Sequence, residues 1–148
     1  MTDEELLAVA IEQARIGRAE GGVPIGAAIA IDGRVVGAGR NRRVQLGSAI
    51  RHGETDALEV AGRLPASQYR RATMATTLSP CDMCTGAILL YEIPRVLIAE
   101  HRTFHGGEDY LRSRGVEVVN FDLAEAYELM QAFIAEHPDI WNEDIGEE

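Results

Sequence analysis

The chain has 148 residues, a formal net charge of −10 at pH 7 and a hydrophobic share of 46%, which is ordinary for a globular protein. This length predicts one domain that buries roughly 68–70% of the surface exposed by the unfolded chain. The negative charge argues against a polynucleotide partner, because such a surface needs basic side chains to neutralise phosphates. The acidic start lacks a secretory signal, and the longest apolar run, VPIGAAIAI, is too short to cross a bilayer, so a cytoplasmic location is expected.

The first part of the chain predicts a helix, a hairpin and a second helix. Thr2 and Glu5 have the spacing of a capping box, and apolar residues then recur at helical spacing up to a pair of glycines. The segment PIGAAIAI predicts a buried strand, and Asp32-Gly33 predicts a two-residue turn into the strand RVVGAG. A loop, GRNRRVQLGSAIRHG, precedes the helix ETDALEVAGRL, which is expected to end near Pro65.

Strands and helices alternate in the rest of the chain. The strand RATMATTL leads through Pro80 into the helix CDMCTGAILLYEI, which is apolar all round and must be covered by core or by a second subunit. The strand RVLIAE, the short helix EDYLRSR and the strand VEVVNF follow. Asp122 and Glu125 are expected to cap an amphipathic helix, LAEAYELMQAFIAE, and the end, HPDIWNEDIGEE, is expected to be irregular. This order predicts an α/β fold, a three-layer sandwich with a mixed sheet between helices.

The only two cysteines, Cys81 and Cys84, stand three residues apart where a helix is predicted to begin. Both sulfurs can therefore turn toward one ion, and the positive end of the helix favours the thiolate form that binds metal. In a reducing compartment such a pair is more often metal-binding or redox-active than a structural disulfide.

His52 and Glu54 lie upstream, in the segment RHGETDALE. Together with Pro80-Cys81-x-x-Cys84 they form the known signature of zinc deaminases. Three protein ligands with one open position make a catalytic zinc site, whereas a structural site is closed by a fourth ligand. Since residues i and i+2 diverge on a helix, His52 is expected at the helix entry and Glu54 just inside it, free to hold a water.

Two other interpretations of the cysteine pair are weaker. A thioredoxin-type redox pair is expected near the start of a chain, after a strand, which is not the context here. A closed structural zinc site needs a fourth ligand from His101, His105 or His137, none of which has finger or ribbon spacing. These three histidines are interpreted as surface residues.

With both motifs placed, the chain resembles the cytidine and deoxycytidylate deaminase superfamily and, within it, the yeast-type cytosine deaminases. The likeness runs almost from end to end, through EGGVPIGAAI, GRNRR, HGE, TTLSPCDMCTGAI, YLRSRG and the terminal W-x-E-D-I-G. The resemblance implies a five-stranded sheet between helices and a homodimer. It also implies one zinc-dependent deaminase domain over residues 1–148, in which residues 138–148 form a lid over the active site.

The resemblance assigns roles to individual residues. It implies that His52, Cys81 and Cys84 bind one zinc ion per chain and that Glu54 carries protons. It also implies a binding site for the nucleobase. The pyrimidine edge is held by Asn41, the Gly53 backbone and Asp144, the Ser79 carbonyl faces the departing amino group, and the walls are Ile25, Leu78, Phe104 and Trp141.

The implied reaction is hydrolytic deamination of a free amino-pyrimidine, above all cytosine to uracil and ammonia, as in pyrimidine salvage. Two departures leave the base open: Thr55-Asp56 follows Glu54 where that branch has a small apolar and a hydroxyl residue, and Asn142 replaces an aromatic residue. Asp56 is interpreted either as orienting the His52 imidazole or as contacting a different exocyclic group.

Alternative functions follow from these departures. Isocytosine or another amino-heterocycle such as guanine is the alternative substrate. A tRNA adenosine deaminase shares the zinc motif, but the charge and the terminal segment argue against it. A zinc-binding interaction module without catalysis is the alternative outside enzymes, and the presence of Glu54 argues against it.

Overall fold

The computed structural model describes residues 1–147. Its strands are β1 (Gly26–Ile31), β2 (Arg34–Arg40), β3 (Ala72–Leu78), β4 (Arg95–Glu100) and β5 (Glu117–Asn120). They form one five-stranded sheet in the order β2-β1-β3-β4-β5. Strand β1 runs antiparallel to β2 and β3, whereas β3, β4 and β5 are parallel. The predicted mixed five-stranded sheet is confirmed.

The helices are α1 (Asp3–Ala19), α2 (Arg43–Leu46), α3 (Gly53–Ala61), α4 (Ala66–Tyr69), α5 (Asp82–Leu90), α6 (Glu108–Ser113), α7 (Ala124–Glu136) and α8 (Pro138–Asp144). The capping box expected at the start of α1 is present, with Thr2 and Glu5 exchanging hydrogen bonds. Helix α2 lies in a segment where the sequence predicts a loop, and α4 lies between the end of the predicted helix near Pro65 and the next predicted strand. None of the helices within residues 1–147 combines the length and the hydropathy of a membrane span.

The sheet is covered on both faces, as the alternation of side chains along a strand requires. Ala27 and Ile29 of β1 belong to the cluster under α3, α5 and α6. Ala28, between them, belongs to the cluster under α1 and α7. This arrangement confirms the three-layer sandwich, and it places the starts of α3 and α5 at the same edge of the molecule.

The predicted cap of α7 is wrong. The N-cap is Leu123, without a side-chain hydrogen bond, and Asp122 adopts a left-handed conformation with φ 49°. The backbone N–H of Leu123 donates to the Ala99 carbonyl at 2.7 Å, and its side chain packs on the cluster under α1 and α7. Attachment to the sheet, rather than a polar cap, therefore decides where α7 begins.

The predicted irregular C-terminal segment is also wrong, because residues 138–144 form α8. Pro138 stands at the first helical position, where its fixed φ suits a helix and its missing N–H costs nothing. Ile140, Trp141 and Ile145 join an apolar cluster with residues of α7 and with Val23, Ile25 and Leu78. A small second core thus holds the end of the chain against the body of the protein.

Candidate active site

His52 is the N-cap of α3, with extended backbone dihedrals of φ −80° and ψ 169°. Its backbone N–H donates to Thr55 Oγ1 at 2.9 Å, which fixes the helix entry. Glu54 is the second residue of the helix and is 4% exposed. Gly53, between them, packs so tightly that a Cβ would lie 3.1 Å from the Gly26 carbonyl carbon. The two side chains therefore straddle the helix start, as the spacing predicts.

Cys81 is the N-cap of α5, and Cys84 is the third residue of that helix and is fully buried. The Thr85 backbone N–H donates to the Cys81 carbonyl at 2.8 Å, which closes the first turn. Strand β3 ends at Leu78, so only Ser79 and Pro80 connect the centre of the sheet to this turn. The strand thereby carries both sulfurs to the edge where α3 begins.

The three predicted ligands meet at one point. The His52 Nδ1 atom lies 3.3 Å from Cys81 Sγ and 3.7 Å from Cys84 Sγ. One donor atom from each residue lies within 4.8 Å of the others. The usual zinc–sulfur and zinc–nitrogen lengths place two ligands of a tetrahedral ion about 3.5 Å apart. One nitrogen and two sulfurs at this separation fit a zinc ion with an open fourth position.

The charges around the imidazole also suit a cation. A hydrogen bond from Cys84 lowers the pKa of Cys81 to about 4, against burial and with help from His52. The same hydrogen bond, together with burial, raises the pKa of Cys84. Burial lowers the pKa of His52, but hydrogen bonds to Asp144 and Cys81 outweigh it and raise that pKa to about 10. The negative groups that stabilise a protonated His52 equally stabilise a metal cation held by these donors.

Glu54 lies beside the ligand group without belonging to it. Burial raises the pKa of Glu54 to about 7, while the charge of His52 opposes this increase and the charge of Cys81 adds to it. A carboxyl group that titrates near neutral pH can both accept and donate a proton during a reaction.

A cavity of about 20 Å³ lies beside the ligand group. A buried water needs roughly 10–15 Å³, so the cavity has room for one. The predicted wall residues come together here, although they are distant in sequence. The lining consists of Ile25, His52, Glu54, Leu78, Ser79, Cys81, Phe104, Trp141, Asp144 and Ile145.

Asp144, the last residue of α8, reaches back into the site, and its side chain is 4% exposed. Its Oδ1 atom lies 3.2 Å from His52 Nε2 and accepts hydrogen bonds from Asn41 Nδ2 at 3.1 Å and Arg43 Nη1 at 3.3 Å. Burial opposes ionisation, but the hydrogen bond and charge of His52 outweigh it and hold the pKa of Asp144 below its usual value. The structure therefore brings Asn41 and Asp144 together, as the resemblance implies.

Trp141 covers the cavity from the side of α8 and is 7% exposed. Its ring meets the ring of Phe104 edge-on, with centroids 6.5 Å apart and planes at 84°. This geometry is a favourable one for two aromatic rings. Helix α8 and the loop after β4 thus form one apolar wall.

Asp56 is not placed at the imidazole, so the interpretation that it orients His52 is wrong. Its buried carboxylate accepts from the Arg40 backbone N–H at 3.0 Å, from Arg42 Nε at 3.1 Å and from Arg51 Nη1 at 2.6 Å. The contact to His52 Nε2 comes from Asp144 instead. Asp56 joins the end of β2 to α3, which is a structural role.

Two residues of the site were missed by sequence reasoning. Arg43, which falls in the loop predicted before α3 and has no functional role assigned from the sequence, has a side chain that is only 16% exposed and donates to Asp144. Its position two residues after Asn41 was the available signal. Ile145 lines the cavity and belongs to the W-x-E-D-I-G motif, but an isoleucine near a chain end carries no chemical signal of its own.

Comparisons with known proteins agree with this geometry. The family model of the cytidine and deoxycytidylate deaminase zinc-binding region matches residues 1–100. A cytosine deaminase of Candida albicans is 53% identical over 146 residues, which cover 98% of this chain and 97% of that protein. A tRNA-specific adenosine deaminase of Haemophilus influenzae is 34% identical over 134 residues, covering 83% of this chain and 77% of that protein.

A solved structure of the guanine deaminase of Nitrosomonas europaea shares the fold. Its TM-score is 0.75 at 24% identity, over 90% of this chain and 85% of that chain. The helix starts that carry His52, Glu54 and the two cysteines all lie within the region that the family model matches. From its motif, its fold and these matches, the chain belongs to the cytidine and deoxycytidylate deaminase family, the zinc-binding deaminases.

Proposed function

We propose that this chain hydrolyses the exocyclic amino group of a free amino-pyrimidine, with cytosine as substrate and uracil and ammonia as products. The observation that carries the proposal is the 53% identity to the Candida albicans cytosine deaminase over 98% of the chain. The site supports it with a buried carboxyl group beside a His/Cys/Cys group, in a cavity with apolar walls.

In this proposal His52, Cys81 and Cys84 hold one zinc ion per chain. Zinc in such a site supplies Lewis-acid activation of a water, whose pKa it lowers to about 7. Thr55 keeps the His52 backbone at the helix entry, and Asp144 lies on the ring nitrogen that faces away from the sulfurs. A partner on that second nitrogen fixes the orientation of a ligating imidazole.

Glu54 is the proton carrier of the proposed reaction. It is buried next to the ligands but has its own place on the first turn of α3. Its carboxylate takes one proton from the attacking water and delivers it to the ring nitrogen, and it then takes the second proton from the oxygen now bonded to the ring carbon and delivers it to the amino group, which leaves as ammonia. A positioned acid–base group of this kind contributes about 10²–10⁴ in rate.

The base is held in the proposal by polar groups on one side and apolar walls on the other. Asp144, Asn41 and the Gly53 backbone bind the pyrimidine edge, and the Ser79 carbonyl accepts from the departing amino group. The close contact of Asn41 with Asp144 supports their joint role. Ile25, Leu78, Phe104 and Trp141 clamp the ring faces and edges.

Residues 138–148 act as a lid over the site in this proposal, and Glu148, the last of them, lies outside the described residues. Support comes from Trp141 and Ile145, which line the cavity, and from Asp144, which contacts His52. A lid excludes water from the reaction and must open to release product. Removing it would therefore affect turnover more than folding.

The functional unit is proposed to be a homodimer. Ile50, Leu90 and Tyr91 line a groove between α3 and α5 and are 62%, 72% and 41% exposed. Large exposed apolar side chains clustered in this way are typical of interaction surfaces. The same groove contains Glu59 and Arg63, so a second copy related by a two-fold axis can pair opposite charges across it.

The proposal is tested by measuring ammonia release from cytosine, isocytosine, cytidine, adenine, guanine and a tRNA anticodon stem-loop. Cytosine is expected to give the highest kcat/KM, and the nucleoside and the RNA are expected to give none. Faster turnover of guanine or of the RNA would overturn the choice of substrate.

We place the enzyme in the cytoplasm without a nucleic-acid partner. The two free thiols support the location, and the net charge of −10 supports the absence of a nucleic-acid partner.

A further inference from the structure

A second group of metal-ligand side chains lies in the connection between β4 and α6. His101 follows β4, His105 stands four residues later, and Glu108 is the first residue of α6. One ring nitrogen or carboxylate oxygen from each lies within 4.8 Å of the others. None of these residues lines the cavity of the deaminase site.

The distances from the Glu108 carboxylate to the two histidines are close to those that a tetrahedral ion requires. Glu108 Oε2 lies 3.0 Å from His101 Nδ1 and 3.8 Å from His105 Nδ1. The usual zinc–nitrogen and zinc–oxygen lengths place such ligands about 3.4 Å apart. The two observed distances bracket that value, as the sulfur–nitrogen distances do at the first site.

The second group of ligands contains one buried carboxylate and two partly exposed imidazoles, so it is accessible from solvent. Glu108 is fully buried, whereas the side chains of His101 and His105 are 34% and 48% exposed. The nearest contact of Arg112 is to the other carboxylate oxygen, Oε1, at 3.7 Å. His101 Nδ1 lies 3.2 Å from Oε1 and 3.0 Å from Oε2, and His105 comes nearest to Oε2, so an ion between the two histidines and Oε2 can be reached from the side of His105.

Asn120 supports the same interpretation. Its Nδ2 lies 3.3 Å from His101 Nε2, while its Oδ1 is buried without a hydrogen-bond partner. A half-turn of the Asn120 amide group exchanges its oxygen and nitrogen with almost no change in shape. Oδ1 then accepts from an Nε2–H, and the Nδ1 lone pair of His101 faces the Glu108 carboxylate, an arrangement that needs a cation between the two. This hydrogen bond on the far ring nitrogen is typical of metal-ligating histidines.

We propose that His101, His105 and Glu108 form a second metal site, which binds Zn²⁺ or a neighbouring divalent transition ion. Two imidazoles and one carboxylate suit these borderline ions better than Ca²⁺ or Mg²⁺, which prefer oxygen ligands. The protein leaves a fourth position to water. This proposal is independent of the substrate assignment, because it concerns metal uptake alone.

Occupancy of the second site fixes the loop of residues 101–107, which carries Phe104 into the wall of the cavity. Two hydrogen bonds already attach this loop to residues 79–80, which connect β3 to α5. The Gly106 N–H donates to Ser79 Oγ at 2.8 Å, and the Gly107 N–H donates to the Pro80 carbonyl at 3.0 Å. An ion that ties His101 to Glu108 therefore closes the loop at both ends.

The test uses the full-length protein already loaded with zinc at the first site and freed of excess metal. Titration with ZnCl₂, followed calorimetrically and by metal analysis after gel filtration, is expected to show one further equivalent per chain. His105→Ala should lose that equivalent. His137→Ala is the matched control and should keep it, since the two histidine side chains are equally exposed, at 48% and 49%.

A second readout examines the loop itself. Backbone amides of residues 102–107 are expected to exchange more slowly after the second equivalent is added to the wild type, and to be unaffected in His105→Ala. Glu108→Gln should show the same loss of metal as His105→Ala. Uptake of only one zinc by the wild type, or equal uptake by the His105 and His137 variants, would overturn the proposal.

Discussion

The Nε2 atom of His52 lies 3.2 Å from Oδ1 of Asp144, so the last helix of the protein contacts the predicted metal ligand directly. Asn41 and Arg43 donate to the same oxygen and hold it there. The position of α8 and the geometry of the ligand group are therefore coupled. Any movement of α8 that carries Asp144 away also removes the partner of the imidazole.

Glu54→Gln is expected to lower kcat by at least ~10² while the protein keeps its zinc, since a glutamine cannot carry a proton and Glu54 lies outside the group of His52, Cys81 and Cys84. The measurements are steady-state deamination kinetics and metal analysis on the same preparation. Glu128→Gln, an exposed substitution on α7, is the control and should change neither quantity. Loss of zinc from the Glu54 variant would mean that the carboxylate is a ligand and that its assigned role is wrong.

Cys81→Ser and Cys84→Ser are each expected to abolish binding of the proposed zinc ion at this site, and activity with it. The remaining donors cannot replace a thiolate, which is the preferred soft ligand. Removing the metal with a chelator should have the same effect on activity and should lower Tm, because the ion binds the folded state only. A chelated protein that stays fully active would contradict the whole assignment of the site.

Removal of residues 139–148 is expected to leave the sheet and the zinc in place but to abolish most of kcat/KM. Asp144→Asn isolates the charge: it keeps the size of the side chain, and it should raise KM for the base and weaken binding of an inhibitor of similar shape. The neighbouring substitution Glu143→Gln is the matched control, since that side chain is 72% exposed. Full activity of the truncated protein would show that Trp141 is a packing residue and that α8 is not a lid.

Leu90→Asp is expected to convert the proposed dimer into a monomer, because a charge at the centre of an apolar interface must be desolvated. Sedimentation equilibrium of the wild type and the variant provides the measurement. Val44→Asp, at a side chain that is 45% exposed and outside the groove, should leave the mass unchanged. A wild-type protein that sediments as a monomer at micromolar concentration would count against the interface.

Asp56→Asn is expected to destabilise the protein by roughly 2–3 kcal/mol, because three donors lose their charged acceptor in a buried position. Urea denaturation monitored by circular dichroism measures this change. Asp122→Asn removes the partner of Arg102 at a side chain that is 62% exposed, and it should cost at most about 1 kcal/mol. Equal effects of the two substitutions would argue that Asp56 has no special structural role.

The sequence by itself determined the order along the chain of the five strands and of the helices α1, α3, α5, α6 and α7, and the contents of the metal-ligand group. His52 and Glu54 straddle a helix start, and Cys81 and Cys84 share a first helical turn. Each relationship spans at most three residues and depends on backbone geometry alone. Short-range spacing of this kind can be predicted, because the conformation of a helix start follows from the residues within it.

The partners of those residues were decided only by the tertiary structure. Asp56 was interpreted either as orienting the imidazole or as contacting an exocyclic group of the base. Packing of β2 on α3 instead gives its carboxylate to arginines, and α8 brings Asp144 to His52. Helix α8 itself forms because Trp141 finds an apolar cluster contributed by distant parts of the chain. Nothing in a local pattern specifies which of several carboxylates reaches a given nitrogen, since that choice depends on how elements far apart in sequence pack together.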